Sequence, residues 1–348
     1  MIPRINNFDL IRLLAALQVV LSHGVYHLKI DGPFHTFYER FAQYFPGVPI
    51  FFTISGFLIF WSFDRKPALK QYIINRFLRL YPALYVCLGV TVILLAICSS
   101  INLFTHKQFY AWLFTQMTFL QFYTPDILRF WGVGTPNGSL WTIAVEVQFY
   151  IAVPIIYFLI KKFKGAFVLA LVFGISIAIN IALASLEDNV FKKLGFVSVL
   201  PYLFNFMLGS MVYLYWNKIY FIFENKFWQW LSVYLLYIVI FSYILDWDIN
   251  SYYITSPFHI LTPILLCFLV MSLAFSHNNI SHKLLRENDI SYGVYIYHMV
   301  VINVFIQFGL IEDSFYLVTT FITTLTIAYL SWIIIEKRSL KLKKYFSN

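Results

Sequence analysis

Predominantly apolar stretches of about 17 to 25 residues, the length a helix needs to cross the hydrocarbon of a bilayer, recur along this chain. They lie near 9–28, 48–63, 79–99, 139–160, 165–185, 194–216, 227–245, 257–276, 290–309 and 315–336, the second being short. In lipid every backbone N–H and C=O must be bonded within its own segment, so such stretches fold as helices. The expected fold class is therefore all-α, a polytopic transmembrane bundle of about ten helices, with residues 1–348 read as one domain. A chain that is 60% hydrophobic and 12% charged is far from the composition of a soluble domain. The segment 108–123 is apolar but interrupted by Thr115, Gln116 and Gln121; it is read as an interfacial helix or an eleventh crossing.

Charge fixes the orientation. With ten spans and the N-terminus inside, Lys29, Arg40, Lys107, Arg129, Lys192 and Lys193 face outward, and the other nineteen of the 25 Lys and Arg, Arg4 among them, face the cytoplasm. That asymmetry follows the positive-inside rule, whereas an eleventh crossing at 108–123 puts Lys161, Lys162 and Lys164 on the wrong side. Both termini are then cytoplasmic. The net charge of +9 is explained by topology and calls for no nucleic-acid partner. The first apolar stretch carries Arg12, Gln18 and His23 with no small-residue cleavage site after it, so it is a retained span and not a signal peptide. Cys87, Cys98 and Cys267 all fall in spans; an odd number at such depth reads as core-filling thiols, with neither a disulfide framework nor a metal site.

Ionisable groups inside hydrocarbon are expensive and mark function. Arg12 and His23 are eleven residues apart, about 20° past three full helical turns and about 16 Å along the axis, so they share a face. Glu146 enters its span from the outside at Ser139 and lies about 10 Å deep, level with His23. A neutral imidazole accepts a proton from a hydroxyl nucleophile, and a carboxylate on its other nitrogen fixes the tautomer and steadies the imidazolium. His23 and Glu146 are thus the candidate catalytic pair, against the plainer reading of each as a helix-packing polar group.

Ser139, Thr142, Glu146 and Tyr150 form a polar stripe on one helix, with Trp141 beside it. They fit a lined cavity, although Asn137-Gly138 is a turn dipeptide and Ser139 a natural N-cap, which makes helix initiation the preferred account of that end. Arg76 and Arg79, at i, i+3 before the third span, present two guanidinium groups on one face. That face suits phosphate, and equally suits positive-inside anchoring or anionic headgroups. Ser291, Tyr295 and His298 share a face of the ninth span, His298 about 13 Å along it; spacing gives His298 only a packing or cavity-lining place. Phe34, Phe37, Tyr38, Tyr44, Trp112, Trp131, Trp247, Tyr252 and Tyr253 fall in outer loops, where interfacial belts are the commoner reason for aromatics than stacking on sugars.

With these residues in hand the chain resembles the acyltransferase 3 family of bacterial integral membrane acyltransferases. Five motifs carry the resemblance: Asn7-Phe-Asp-Leu-Ile-Arg12 leading to His23; Phe51-Phe-Thr-Ile-Ser-Gly-Phe-Leu-Ile59; Arg76-Phe-Leu-Arg79; Ser139-Leu-Trp-Thr-Ile-Ala-Val-Glu146 with Gln148-Phe-Tyr150; and Ser291-Tyr-Gly-Val-Tyr-Ile-Tyr-His298. The family usually has Ser where this chain has Thr142 and a second Glu where it has Val147, so only a role for that second carboxylate is put in doubt. The chain runs twelve residues past Glu336, which reads as a stand-alone form without a soluble esterase-like domain.

The resemblance implies about ten transmembrane helices in the bacterial inner membrane and no bound cofactor. It implies an acyl-CoA donor, acetyl-CoA first, reached from the cytoplasm, and an envelope-glycan or lipid-linked sugar acceptor near the outer face, in contact with membrane lipid. It shifts Arg76 and Arg79 toward the phosphates of coenzyme A and gives Arg12 a place lining the passage for the acyl arm. Direct transfer and a route through an acylated protein group both fit. The rivals from other classes are a flippase or exporter of a lipid-linked glycan and a polymerase or ligase of such glycans. A basic cytoplasmic pair together with a His/Glu pair is more than passive translocation needs.

Overall fold

The computed structural model describes residue 3, residues 6–277 and residues 280–346; Arg4, counted above on the inner side, lies outside them. Among the described residues the structure is helical and without strands. The helices used below are α1 (Phe8–His27), α2 (Pro33–Arg40), α3 (Gly47–Arg65), α4 (Leu69–Cys98), α5 (Lys107–Met117), α6 (Trp141–Lys162), α7 (Gly165–Ser185), α8 (Val190–Phe196), α9 (Leu203–Leu214), α10 (Phe227–Ile238), α11 (Phe258–Ala274), α12 (Ser291–Gln307), α13 (Ser314–Ser331) and α14 (Lys337–Lys341).

Helices occupy all ten apolar windows. Among the described residues seven are long and apolar enough to cross a membrane, or eight if α8 and the segment from Leu200 through α9, bent by 51° at the break, make one span. Helices α11 and α12, of 17 residues each, sit at the lower edge of the spanning length. The 108–123 segment resolves into α5, 11 residues long; at about 16 Å it is too short to cross. Cys87 and Cys267 are buried free thiols, and Cys98 is a half-buried one.

The chain gathers into two compact units, with the division falling inside α1 and α6. The first contains Met1–Ala15, Tyr44–Pro67 and Gln148–Glu287. Its core is aromatic: Phe8, Phe57, Trp216, Phe223, Tyr234 and Phe275 pack together. Apolar side chains gain little from clustering when the solvent is itself hydrocarbon, so close helix contact depends on small residues and on polar groups bonding across helices. Here α3 and α9 meet over much of their length. A Cβ added at Gly56 would lie 1.9 Å from the Phe206 carbonyl oxygen, and one at Gly209 1.9 Å from that of Thr53. Ser210 Oγ donates to the Gly56 carbonyl across the same seam at 3.0 Å. Asn7, which opens the first motif, clasps the end of α11: its amide donates to the carbonyls of Leu273 and Ser276 and accepts from the Ser281 N–H.

The second unit contains Ala16–Gln43, Ala68–Val147 and Asn288–Asn348. Its centre is α12, buried without interruption from Ser291 to Asn303. It packs against α13, where a Cβ on Gly293 would meet Ala328 Cα at 2.9 Å. A helix buried all round needs its polar side chains satisfied by protein, and those of α12 make the site described next.

Gly209→Ala is expected to prevent accumulation of folded protein, because the added methyl meets backbone that cannot yield; the cost exceeds about 4 kcal/mol. Gly174→Ala, whose Cβ meets nothing within 4 Å, serves as the control. Folded yield after mild detergent extraction distinguishes the two, and equal yields would show that the α3–α9 seam is not tight.

Candidate active site

The site residues other than Arg12 and Tyr150 belong to the second unit. His298 is fully buried, and its Nδ1 lies 2.6 Å from the carbonyl oxygen of Tyr295, one turn back on α12. A carbonyl only accepts, so Nδ1 carries the proton and Nε2 presents a lone pair. His23 Nδ1 lies 2.9 Å from that Nε2, so His23 donates through Nδ1 and keeps its own Nε2 as an acceptor. The rings stack at 5.1 Å, and His27, one turn on in α1, sits 5.6 Å from His23. The chain of tautomers thus begins at a backbone carbonyl and ends at a basic nitrogen on half-buried His23.

The other candidates on α6 and α12 hold this pair in place. Tyr295 Oη lies 2.5 Å from Thr142 Oγ1, and both hydroxyls reach the Ser139 carbonyl, at 3.1 Å each. Ser139 lies within a 3₁₀ turn, Gly138–Leu140, and its Oγ donates to Asn137 Oδ1 at 2.8 Å. The expected Ser139 N-cap is therefore corrected: α6 begins by continuation from that turn, and Ser139 spends its hydroxyl on Asn137. Asn137 in turn donates to the Ile296 carbonyl at 2.8 Å. Farther along α12, Asn303 bonds Val133 N–H and the carbonyls of Thr135 and Pro136, while Gln307 accepts from Gly132 N–H. Gly132 has φ +52, and a Cβ there would fall 2.1 Å from Asn303 Oδ1, so the loop before α6 depends on that glycine. Trp141 is half-buried beside Thr142, and Tyr150 is buried in the first unit.

These bonds also set the register of Glu146. The loop meets α12 in antiparallel order, Asn137 at Ile296 and Thr135 at Asn303. Glu146 therefore lies about 6 Å from Thr142 toward the Asp289 end, while His298 lies about 4.5 Å from Tyr295 the other way. Tyr72 is among its electrostatic neighbours. The nitrogen of His23 that fixes its tautomer is bonded to His298, a residue to which spacing gave no such role.

At the Asp289 end the cations gather. Arg79 forms a short ion pair with Asp289, which is 8% exposed. Asp289 also accepts from the Ser291 hydroxyl at 2.5 Å and the Ser291 N–H at 3.3 Å, so Ser291 anchors a carboxylate at the start of α12. Arg76, one turn earlier on α4, lies over the Tyr72 ring at 5.8 Å. Buried Glu336, in the π-helical turn Trp332–Glu336, is in electrostatic range of Arg79. Arg12, in the first unit, pairs with Asp9 at 2.9 Å. Asp289, Glu336 and Tyr72 escaped the sequence reading. Asp289 carried a signal all the same, as an acidic residue two before a helix start and level with an arginine pair.

Residues 5–336 match the family model described as an acyltransferase domain, acyltransferase 3. Among similar proteins, a nodulation protein 10 of Rhizobium leguminosarum bv. viciae is 33% identical, covering 97% of this chain and 94% of its own. An O-acetyl transferase of Shigella phage Sf6 is 28% identical over 96% of each chain. The peptidoglycan O-acetyltransferase OatA of Listeria monocytogenes is 28% identical over 43% of this chain and 24% of its own length. No solved structure matches. A family match over nearly the whole chain, on helices of spanning length and through the motifs that build the imidazole pair and the arginine site, makes this chain a multi-pass membrane protein of the acyltransferase 3 family.

Proposed function

We propose that the chain is an O-acetyltransferase of the bacterial inner membrane. It moves an acetyl group from acetyl-CoA at the cytoplasmic face to a hydroxyl of an envelope glycan such as O-antigen, capsule or exopolysaccharide. The observation that carries this reading is the tautomer order from the Tyr295 carbonyl through His298 to His23, which supports a held imidazole with a basic Nε2. Relatives named as O-acetyl transferases agree with it. In the proposed topology the single domain crosses about ten times, counting α11, α12 and the bent α8–α9 pair, with both termini cytoplasmic.

The acceptor oxygen attacks the thioester carbonyl carbon while its proton passes to His23 Nε2. The C–O bond forms, the C–S bond breaks as the adduct collapses, and the imidazolium returns its proton to the departing thiolate, so atoms and charge balance. His298 is a positioning residue that holds the tautomer and orientation of His23. Glu146, placed by register between the imidazoles and the Arg79 end, steadies the positive charge that develops on His23. Arg76 and Arg79 bind donor phosphates. Asp289 and His298 are nine residues apart, about 13 Å along α12, a separation suited to a pantetheine arm.

Membranes containing the protein should convert labelled acetyl-CoA into alkali-labile glycan ester, and His23→Ala should abolish this with accumulation unchanged. His298→Gln should lower kcat on the order of a hundredfold, leave KM near normal and displace the pH profile. A normal ester yield from His23→Ala would end the catalytic assignment, and absence of any ester from the unsubstituted protein would favour a carrier. For Glu146→Gln, which keeps size but not charge, turnover should fall strongly, with Glu146→Asp intermediate; wild-type turnover in the amide variant would leave Glu146 a packing residue.

Replacing Arg76 and Arg79 together by Lys separates anchoring from phosphate binding. Lys keeps the charge that orientation needs but not the fork that grips phosphate and Asp289. The apparent KM for acetyl-CoA should rise about tenfold with topology retained, and an unchanged KM would remove the donor site from these residues.

A further inference from the structure

We propose that Tyr26, Tyr38 and Glu39 form the acceptor subsite, and that it takes a neutral sugar through two adjacent hydroxyls. The inference rests on the reading of His23 as the base for a sugar hydroxyl and names the class of acceptor that reaches it. The end of α1 and the helix α2 after it face outward in the proposed topology, where interfacial belts are the ordinary reason for aromatics. A belt ring keeps its polar tip among headgroups, whereas here the tips are bonded within the protein. Ser22, the neighbour of His23, donates from Oγ to Tyr38 Oη at 3.0 Å. Tyr26, three residues beyond His23, donates to Glu39 Oε1 at 2.5 Å. Both bonds join α1 to α2, so α2 is folded back beside the imidazole. No residue of α2 is fully buried; Phe34 and Tyr38 rest on the core beneath it.

The Tyr26 ring is the hub. It meets Tyr38 edge to face at 5.4 Å and His35 at 6.5 Å, yet it is 52% exposed, so it is fixed in orientation with much of its surface open. Once the two bonds are made, one acceptor and one donor remain without a partner among the described residues: Glu39 Oε2 and the O–H of Tyr38. No cation pairs with half-buried Glu39 among those residues either. A metal ion or an ammonium has no use for the Tyr38 donor, whereas a hydroxyl both donates and accepts. Two adjacent hydroxyls therefore satisfy both groups, and the bond to the carboxylate is charge-assisted. The C–H hydrogens of a sugar ring, slightly positive, suit the negative face of Tyr26. An acidic sugar is repelled by Glu39. Tyr26 lies about 4.5 Å along α1 from His23, less than the width of one sugar ring, so a sugar seated there brings a further hydroxyl to the base.

Saturation-transfer NMR without donor reads the binding directly, on full-length protein in phosphatidylcholine nanodiscs, whose headgroups carry no hydroxyl. The probes are methyl α-D-glucopyranoside and its uronate, which keeps the ring hydroxyls and replaces the hydroxymethyl group by a carboxylate. The unsubstituted protein should bind the glucoside with a Kd about tenfold below that of the uronate. Glu39→Gln keeps an acceptor for Tyr26 but drops the charge; it should raise the glucoside Kd about tenfold and erase the discrimination. Tyr26→Phe keeps the ring and loses the bond that aims Glu39, and should weaken the glucoside about threefold. Phe37→Leu, at a half-exposed ring of α2 outside the cluster, should leave both Kd values within about twofold. No binding by the unsubstituted protein, equal Kd values for the two probes, or a loss in Phe37→Leu matching that in Glu39→Gln would each overturn the subsite, even if glycan ester still forms from labelled acetyl-CoA. The expected binding pattern with no ester formed would instead end the transferase reading, and the acceptor role with it, leaving a sugar site.

Discussion

The second unit depends on the unbroken burial of α12 from Ser291 to Asn303. A helix enclosed from Ser291 to Asn303 has no water for its polar groups, and each one left without a bond would cost on the order of 1–3 kcal/mol. The sequence nevertheless places Ser291, Tyr295, His298 and Asn303 there. Each is spent on a specific partner: Asp289, the start of α6, His23 and the loop at 132–137. The bonds that make the helix tolerable are the same ones that locate the candidate chemistry, so the site is a consequence of how this helix is satisfied.

That arrangement also separates the labour along one axis. Cations gather where Asp289 draws Arg79 against the start of α12, and imidazoles lie about 13 Å farther on. The charged donor and neutral hydroxyl acceptor of the proposed reaction call for opposite environments, one polyanion-binding and one able to hold an uncharged base. Keeping the two apart leaves the imidazole pair in a neutral hydrogen-bonded chain, away from the guanidinium groups that would disfavour its protonation in the proposed reaction.

Much of the fold was legible because bilayer thickness reduces it to counting apolar residues: helices lie in all ten windows, seven of spanning length and an eighth broken between α8 and α9. The register of the loop before α6 was not legible, since it depends on the Asn137 and Asn303 side chains finding carbonyls more than 150 residues away. Depth alone put Glu146 beside His23. Depth leaves lateral packing and side-chain direction open, and those gave the tautomer-setting nitrogen to His298. Ser139 misled for a related reason: a serine before a helix is an N-cap only if no closer acceptor takes its hydroxyl, and here Asn137 does. Asn7, which opens the first of the resemblance motifs, is a clasp on α11, so a residue can belong to a family's signature by holding a scaffold end.

The histidine pair shows why a carboxylate is not needed at that nitrogen. A carboxylate in the same place would add a full negative charge to a buried site and would need its own partners to offset the desolvation. A neutral second imidazole anchored on a backbone carbonyl fixes the same tautomer with no net charge at all. In the proposed mechanism the weaker stabilisation it gives to an imidazolium is made up by Glu146, about two helical turns along the axis. In the proposed mechanism a base arranged in this way meets the hydroxyl as a neutral imidazole, which suits acid–base chemistry inside a membrane.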